Sequence, residues 1–380
     1  MRVLFLFIGE PHHLFHALPM AAEMAAMGHE PEVAVTSEAH LRIIDRLSDI
    51  YPRFAPKICV LGQRGPAALA RRVGLGRNPR LPILVGALPY LRQFDAIVVP
   101  ERTSTAIRHF LSRKTALIFT PHGAGDRAIM LDPRDRHFDF VLVAGKKSEA
   151  RLLEAGTICP GRYFTNGYVK LDLMMRMQKE RRRLFDNPRP TILYAPHFRR
   201  SLSSWDRFGR DVIDWFAAQD RYNLVVAPHV RLFAEAPQAA KDAITGLAVP
   251  GKIVIDLDSD RLFDMSYTSA ADIYLGDVSS QVYEFLATPR PCLFLNAHGV
   301  SWQDDPDYLF WTLGDVLDDM GQLSEALDNA GQRHPLYAAA QRLRMEESVG
   351  GDPTGAARRG AEAIWAFLEK RGSVDKSRWT

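Results

Sequence analysis

Short runs of aliphatic and β-branched residues alternate with longer stretches of helical periodicity from one end of the chain to the other. The first run, Val3 to Ile8, is continuously apolar, as expected of a strand covered on both faces. Comparable runs predict strands at 2–8, 32–36, 96–100, 116–120, 140–143 and 163–166. A second series is predicted at 191–195, 222–227, 252–257, 271–275 and 291–295. Strand and helix in strict alternation is the pattern of parallel βαβ units, so the predicted fold class is α/β. Two series of similar length predict two doubly wound, Rossmann-like domains facing a central cleft. Ligands of such sheets sit at the C-terminal ends of the strands.

Between the series, "LDLMMRMQKERRRLFDNPRP" passes from apolar to basic to Pro/Asn-rich, the composition of an inter-domain connection. The predicted domains are 1–186 and 187–354, followed by a helix and tail at 355–380. In that tail the periodicity through Ala363, Ile364 and Phe367 gives an apolar face expected to pack back on the first domain.

A hydrophobic fraction of 47% with 24% charged residues belongs to a folded chain rather than a disordered one. The net charge of +3 argues against nucleic acid as the main partner. The N-terminal apolar run is broken by Gly9, Glu10 and Pro11, too early for a signal peptide or a membrane span. Cys59, Cys159 and Cys292 form neither a disulfide framework nor a CxxC spacing, and read as buried free thiols in a reducing cytoplasm. The stretch "RGPAALARRVGLGRNPR" at 64–80 mixes basic and apolar residues. It reads equally as a solvated basic loop or as an interfacial segment, which would put the protein peripherally at the inner face of the cytoplasmic membrane.

Candidate chemistry collects where the predicted strands end. After the first strand come His12, His13 and His16. After the strand at 116–120 comes Pro121-His122-Gly123, where glycine lets a ligand approach the backbone and the imidazole can take a proton from a hydroxyl. In "ILYAPHFRRSLSSW", His197, Arg199, Ser203 and Ser204 offer donors to an anion. "LVVAPHVRLF" repeats the Pro-His pair as Pro228-His229, with Arg231 close behind. In "ADIYLGDVSSQVYEFLATPRPCLFLN", a strand hands over at Gly276-Asp277 to a predicted helix beginning near Ser279 and Ser280. Its unpaired N–H groups and the two hydroxyls predict an anion site, with Glu284 on the same face as Ser280. Simple capping by Asp277 or Ser279 explains the same residues without a ligand. The acidic, aromatic stretch at 301–319 lacks interleaved histidines, so no metal site is expected there and a solvated loop over the cleft is.

Taken in order, these motifs resemble the GT-B glycosyltransferase superfamily. More closely, those from Ala116 to Arg359 are similar to the CDP-glycerol glycerophosphotransferases of the teichoic acid polymerase type. Pro121-His122-Gly123 matches that family's strand-borne His-Gly, and Tyr194-Ala195-Pro196 with Arg199 matches its Tyr-Ala-Pro strand and following Arg. Pro228-His229 matches its second Pro-His, and Asp277-Val278-Ser279-Ser280 with Glu284 matches its Asp-Tyr-Ser-Ser and acidic residue. "GGDPTGAARR" is similar to its C-terminal turn into a helix. The chain departs from the pattern at Val278, where Tyr is usual, at Ala227, where Lys is usual, and at His197, where Thr is common.

The resemblance implies a transferase moving glycerol phosphate from CDP-glycerol to a glycan or lipid-linked acceptor in cell-envelope polysaccharide synthesis, releasing CMP. The partners are then the nucleotide-diphosphate donor and the acceptor, with no cofactor, metal or nucleic acid. The first domain becomes the acceptor side, carrying His12, His13 and His16, and the second binds the donor. His122, His229 and Arg199 are implied as catalytic, and Gly123, Tyr194, Pro196, His197, Asp277, Ser279, Ser280 and Glu284 as donor-binding. Two alternatives stay open: a GT-B glycosyltransferase using a nucleotide sugar, and a catalytically silent nucleotide-binding or scaffold protein.

Overall fold

The computed structural model describes residues 1–63, 80–123, 132–177, 183–279 and 281–377. The described chain divides into two units, one made of 1–123, 132–177 and 347–377, the other of 183–279 and 281–346. Each is built on a wholly parallel sheet.

The first sheet holds β1 (Val3–Leu6), β2 (Glu32–Val35), β3 (Lys57–Val60), β4 (Ala96–Val99), β5 (Ala116–Phe119), β6 (Phe140–Val143) and β7 (Tyr163–Thr165), in the order β3-β2-β1-β4-β5-β6-β7. The second holds β8 (Thr191–Ala195), β9 (Asn223–Val226), β10 (Ile253–Ile255), β11 (Ile273–Gly276), β12 (Cys292–Leu295) and β13 (Asp315–Leu317), in the order β10-β9-β8-β11-β12-β13. Each sheet starts in its interior, winds to one edge, then returns and winds to the other. The strand order therefore reverses between β1 and β4 in one unit and between β8 and β11 in the other, the crevices where doubly wound sheets bind ligands. Four- and five-residue apolar strands suffice because helices cover both faces. β1, β4, β5 and β8 are buried at every position.

Two strands escape the sequence pattern. β3 is an edge strand with Lys57 and Ile58 exposed, and β13 is three residues long beginning with Asp315. Of the three thiols expected to be buried, Cys292 is, Cys59 is half-buried on the edge strand and Cys159 is exposed in the loop before β7. The expected solvated loop at 301–319 is corrected: Pro306–Leu313 forms a 3-10 helix, and Phe310, Trp311 and Leu313 are buried, Trp311 to 1% exposure. Aromatic side chains that look spendable in a polar stretch wall the second sheet instead.

The helix Ala356–Ser377 packs on the helices Leu14–Ala26 and Val169–Met177 of the first unit. Asp172, buried within Val169–Met177, accepts the N–H groups of Gly355 at 3.1 Å and Ala357 at 3.0 Å, capping the last helix. Among the described residues no helix is long and apolar enough to cross a membrane. The stretch 64–79 of the expected interfacial segment lies outside the described residues.

Candidate functional site

In the first unit the crevice between β1 and β4 begins at Gly9. A Cβ there would stand 2.8 Å from His13 Nδ1 and 3.7 Å from Glu101 Cγ, so the missing side chain is what admits the His13 ring beside the end of β1. Pro11–His13 form a 3-10 turn leading into the helix Leu14–Ala26, and this places three imidazoles near one another and near His122. The His13 and His122 rings are 4.0 Å apart, and those of His12 and His16 are each 6.2 Å from His122.

His122 follows β5, and its Nδ1 lies 2.8 Å from the Pro100 carbonyl oxygen at the end of β4. A carbonyl can only accept, so Nδ1 carries the hydrogen and Nε2 the lone pair. The ring is exposed yet densely surrounded by protein atoms. Exposure decides that a hydroxyl can reach it, whereas the surrounding protein sets its protonation. Desolvation holds its pKa below the ordinary histidine value, partly countered by the Pro100 carbonyl and reinforced by Arg102 and Arg80. His13 and His16 are buried and held well below that value, first by desolvation, then by His122 for His13 and by Lys170 for His16. His13, His16 and His122 are thus set to stay neutral near pH 7. Gly123 takes φ +109°, a backbone state that favours glycine, with open space where a Cβ would be.

Glu101 is absent from the residues singled out by sequence. It is buried, accepts the Thr103 N–H at 2.7 Å and the Ser104 hydroxyl, and lies beside Gly9. A lone Glu-Arg after a predicted strand carries no spacing signal, and only the β1–β4 adjacency brings it to the histidines.

In the second unit the crevice between β8 and β11 is closed by Asp277. Its carboxylate accepts the His197 N–H at 2.9 and 3.1 Å, and the Ser204 N–H and hydroxyl at 2.7 and 3.0 Å. Burial nevertheless pushes its pKa up to about 6, outweighing the donors that favour the ionised form. Tyr194 is fully buried, with its hydroxyl 2.9 Å from Ser204 Oγ, and Pro196 is buried beside it. Asp277, Tyr194 and Ser204 therefore brace the strand ends from inside.

His197 is buried, His229 and Arg199 are half-buried, and the two imidazole centres are 5.9 Å apart. Ser279 is buried and its hydroxyl accepts the Gln281 N–H at 3.3 Å, which is the capping alternative in being. The helix it opens, Gln281–Phe285, has five residues and buries Glu284, so few aligned peptide dipoles back the expected anion site. Ser280 lies outside the described residues. Among the described residues no group of three or more His, Cys, Asp or Glu side chains could hold a metal ion.

No family model matches this chain. No curated protein matches it either. Solved structures do. An S. aureus MnaA–UDP co-structure shares 14% identity over 97% of each chain with a TM-score of 0.64. UDP-GlcNAc 2-epimerase from Neisseria meningitidis, bound to UDP-GlcNAc, shares 14% over 97% of this chain and 100% of that one, with a TM-score of 0.59. A variant of the wall teichoic acid polymerase TagF soaked with CDPG shares 12% over 97% of this chain and 89% of that one, with a TM-score of 0.62. The chain has a GT-B-like fold of two Rossmann-like domains.

Proposed function

We propose that the protein is a transferase acting on a nucleoside-diphosphate-linked donor, with CDP-glycerol as the donor and a glycan or lipid-linked hydroxyl as the acceptor. The observation that carries the reading is His122, exposed at a strand end, with its Nδ1–H committed to the Pro100 carbonyl and Nε2 left as a proton acceptor. In the reaction the acceptor oxygen attacks the phosphorus that bears glycerol, and its proton passes to His122 Nε2. The P–O bond to the CMP phosphate breaks, and CMP leaves. Arg199 and His229 offset the charge gathering on that phosphate, and the hydroxyls of Ser279 and Ser280 are assigned as its donors. Tyr194, Pro196, His197, Asp277 and Glu284 shape or brace the donor loops, Gly123 lets the donor come close to the backbone beside His122, and His12, His13 and His16 line the acceptor side. The TagF structure soaked with CDPG supports the donor class.

A nucleotide-sugar enzyme is the second reading, favoured by neighbours crystallised with UDP and UDP-GlcNAc. Product analysis separates the two. With CDP-glycerol and a polyol-phosphate or lipid-linked glycan acceptor, wild type is expected to release CMP and His122→Ala to release none. Turnover of a UDP-sugar without CMP release from CDP-glycerol would replace the first reading by the second.

A further inference from the structure

The loops after β8 and β9 carry one pattern twice, Pro196-His197-Phe198-Arg199 and Pro228-His229-Val230-Arg231. The two strands are adjacent and parallel, so the copies lie side by side. In both, the imidazole Nδ1 accepts the backbone N–H of the arginine two residues on, at 3.0 Å for Arg199 on His197 and 3.2 Å for Arg231 on His229. Such a bond closes the loop as an Asx turn does and fixes where the arginine side chain begins.

Phe198 joins the copies. Its ring centre lies 5.8 Å from the guanidinium carbon of Arg199 and 4.5 Å from that of Arg231. The rings of His197 and His229 are each 4.6 Å from it. Neither guanidinium has an ion pair or hydrogen bond with a described residue, whereas neighbouring Arg200 pairs with Asp206 at 3.6 Å. Two cations gathered on one aromatic ring without an acid repel each other, and a bound polyanion removes that cost.

We propose that the twin loops are a two-cation clamp for two adjacent phosphoryl groups, one guanidinium to each, which selects a diphosphate over a monophosphate. Arg231 is the specificity-determining residue. His197 positions Arg199, and His229, besides facing the phosphate in the proposed reaction, positions Arg231 through the backbone N–H it holds. The inference rests on reading the second unit as the nucleotide side, and it is independent of which base or glycosyl group the donor carries. A nucleoside diphosphate and free pyrophosphate share the chemistry the clamp recognises.

Calorimetric titration of the full chain with CDP, UDP, CMP, pyrophosphate and orthophosphate tests it, using wild type, Arg231→Gln, His229→Asn and His229→Ala of matched melting temperature. Arg231→Gln is expected to weaken the preferred nucleoside diphosphate and pyrophosphate by roughly 10-fold or more, the loss of one charge-assisted contact, and to leave CMP nearly unchanged. His229→Asn, whose Oδ1 can accept the same N–H, is expected to retain the preference for diphosphate over monophosphate, and His229→Ala to lose that preference. Equal losses for diphosphate and monophosphate, or no loss in Arg231→Gln, overturn the clamp while nucleotide binding itself leaves the reading of the second unit standing. Pyrophosphate binding that depends on Arg231 without any nucleotide binding upholds the clamp and removes that reading. Silence with every ligand removes both.

Discussion

The indole Nε1–H of Trp311 donates to the main-chain carbonyl of Asp277 at 3.1 Å, joining the aromatic wall beside β13 to the end of β11. From there the Asp277 carboxylate reaches across to His197 at the end of β8 and to Ser204. One residue thus ties three segments around the proposed donor loops.

Replacing Asp277 by Asn tests that tie. The amide NH2 would face the donors of His197 or Ser204, so the variant is expected to lose about 1–3 kcal/mol, although a buried charge has been removed. A linked pH effect separates the two terms. Burial raises Asp277 from 3.8 to about 6, so the folded chain holds that proton more tightly than the unfolded chain. The group's contribution to stability is greatest below about pH 4, declines as pH rises towards 6 and is level above that. The stability of wild type relative to Asp277→Asn, from urea midpoints measured across this range, should decline as pH rises from 4 to 6, and a flat difference would contradict the assignment.

Gly9→Ala would place a methyl 2.8 Å from His13 Nδ1, against a ring that is 4% exposed and cannot swing away. A destabilisation of about 1–3 kcal/mol is expected from overpacking. Because the His13 and His122 rings are 4.0 Å apart, transfer should fall as well, while nucleotide affinity stays at the wild-type value. Melting temperature, turnover and calorimetry on the same variant check the three parts.

Asp172→Asn weakens the cap on the last helix, since an amide cannot accept from both Gly355 and Ala357 through two oxygens. The first unit should lose about 1–2 kcal/mol. Proteolysis should then nick near the start of Ala356–Ser377 faster than in wild type.

The acid limb of the pH–rate profile reports the proton acceptor. With His122 held below the ordinary histidine value of 6.5 by desolvation, the midpoint of the acid limb should lie below pH 6.5. A limb at 7 or above would point to another base.

Much of the fold is readable in the chain because parallel strands buried on both faces appear as short, continuous apolar runs. β5 and β8, "ALIF" and "TILYA", are plain from sequence. β3 and β13 are not: the exposed edge strand "KICV" and the three-residue "DVL" bury too little to write a pattern. Within the candidate site, the strand-end histidines stand out because Pro-His recurs after strands. Glu101 does not, since its place beside His13 depends on β1 and β4 being neighbours while about ninety positions apart in sequence. The burial of Trp311 is equally hidden, because its own segment is polar and its partners, Phe294 of β12 and the Asp277 carbonyl just after β11, are remote in sequence.

The most direct test of the account is a thermal-shift panel of CMP, CDP, UMP, UDP, CDP-glycerol and UDP-GlcNAc on wild type and Ser280→Ala. Stabilisation by cytidine nucleotides, greatest with CDP-glycerol and weakened in the variant, is the predicted result. Stabilisation by uridine nucleotides alone would contradict the proposed donor.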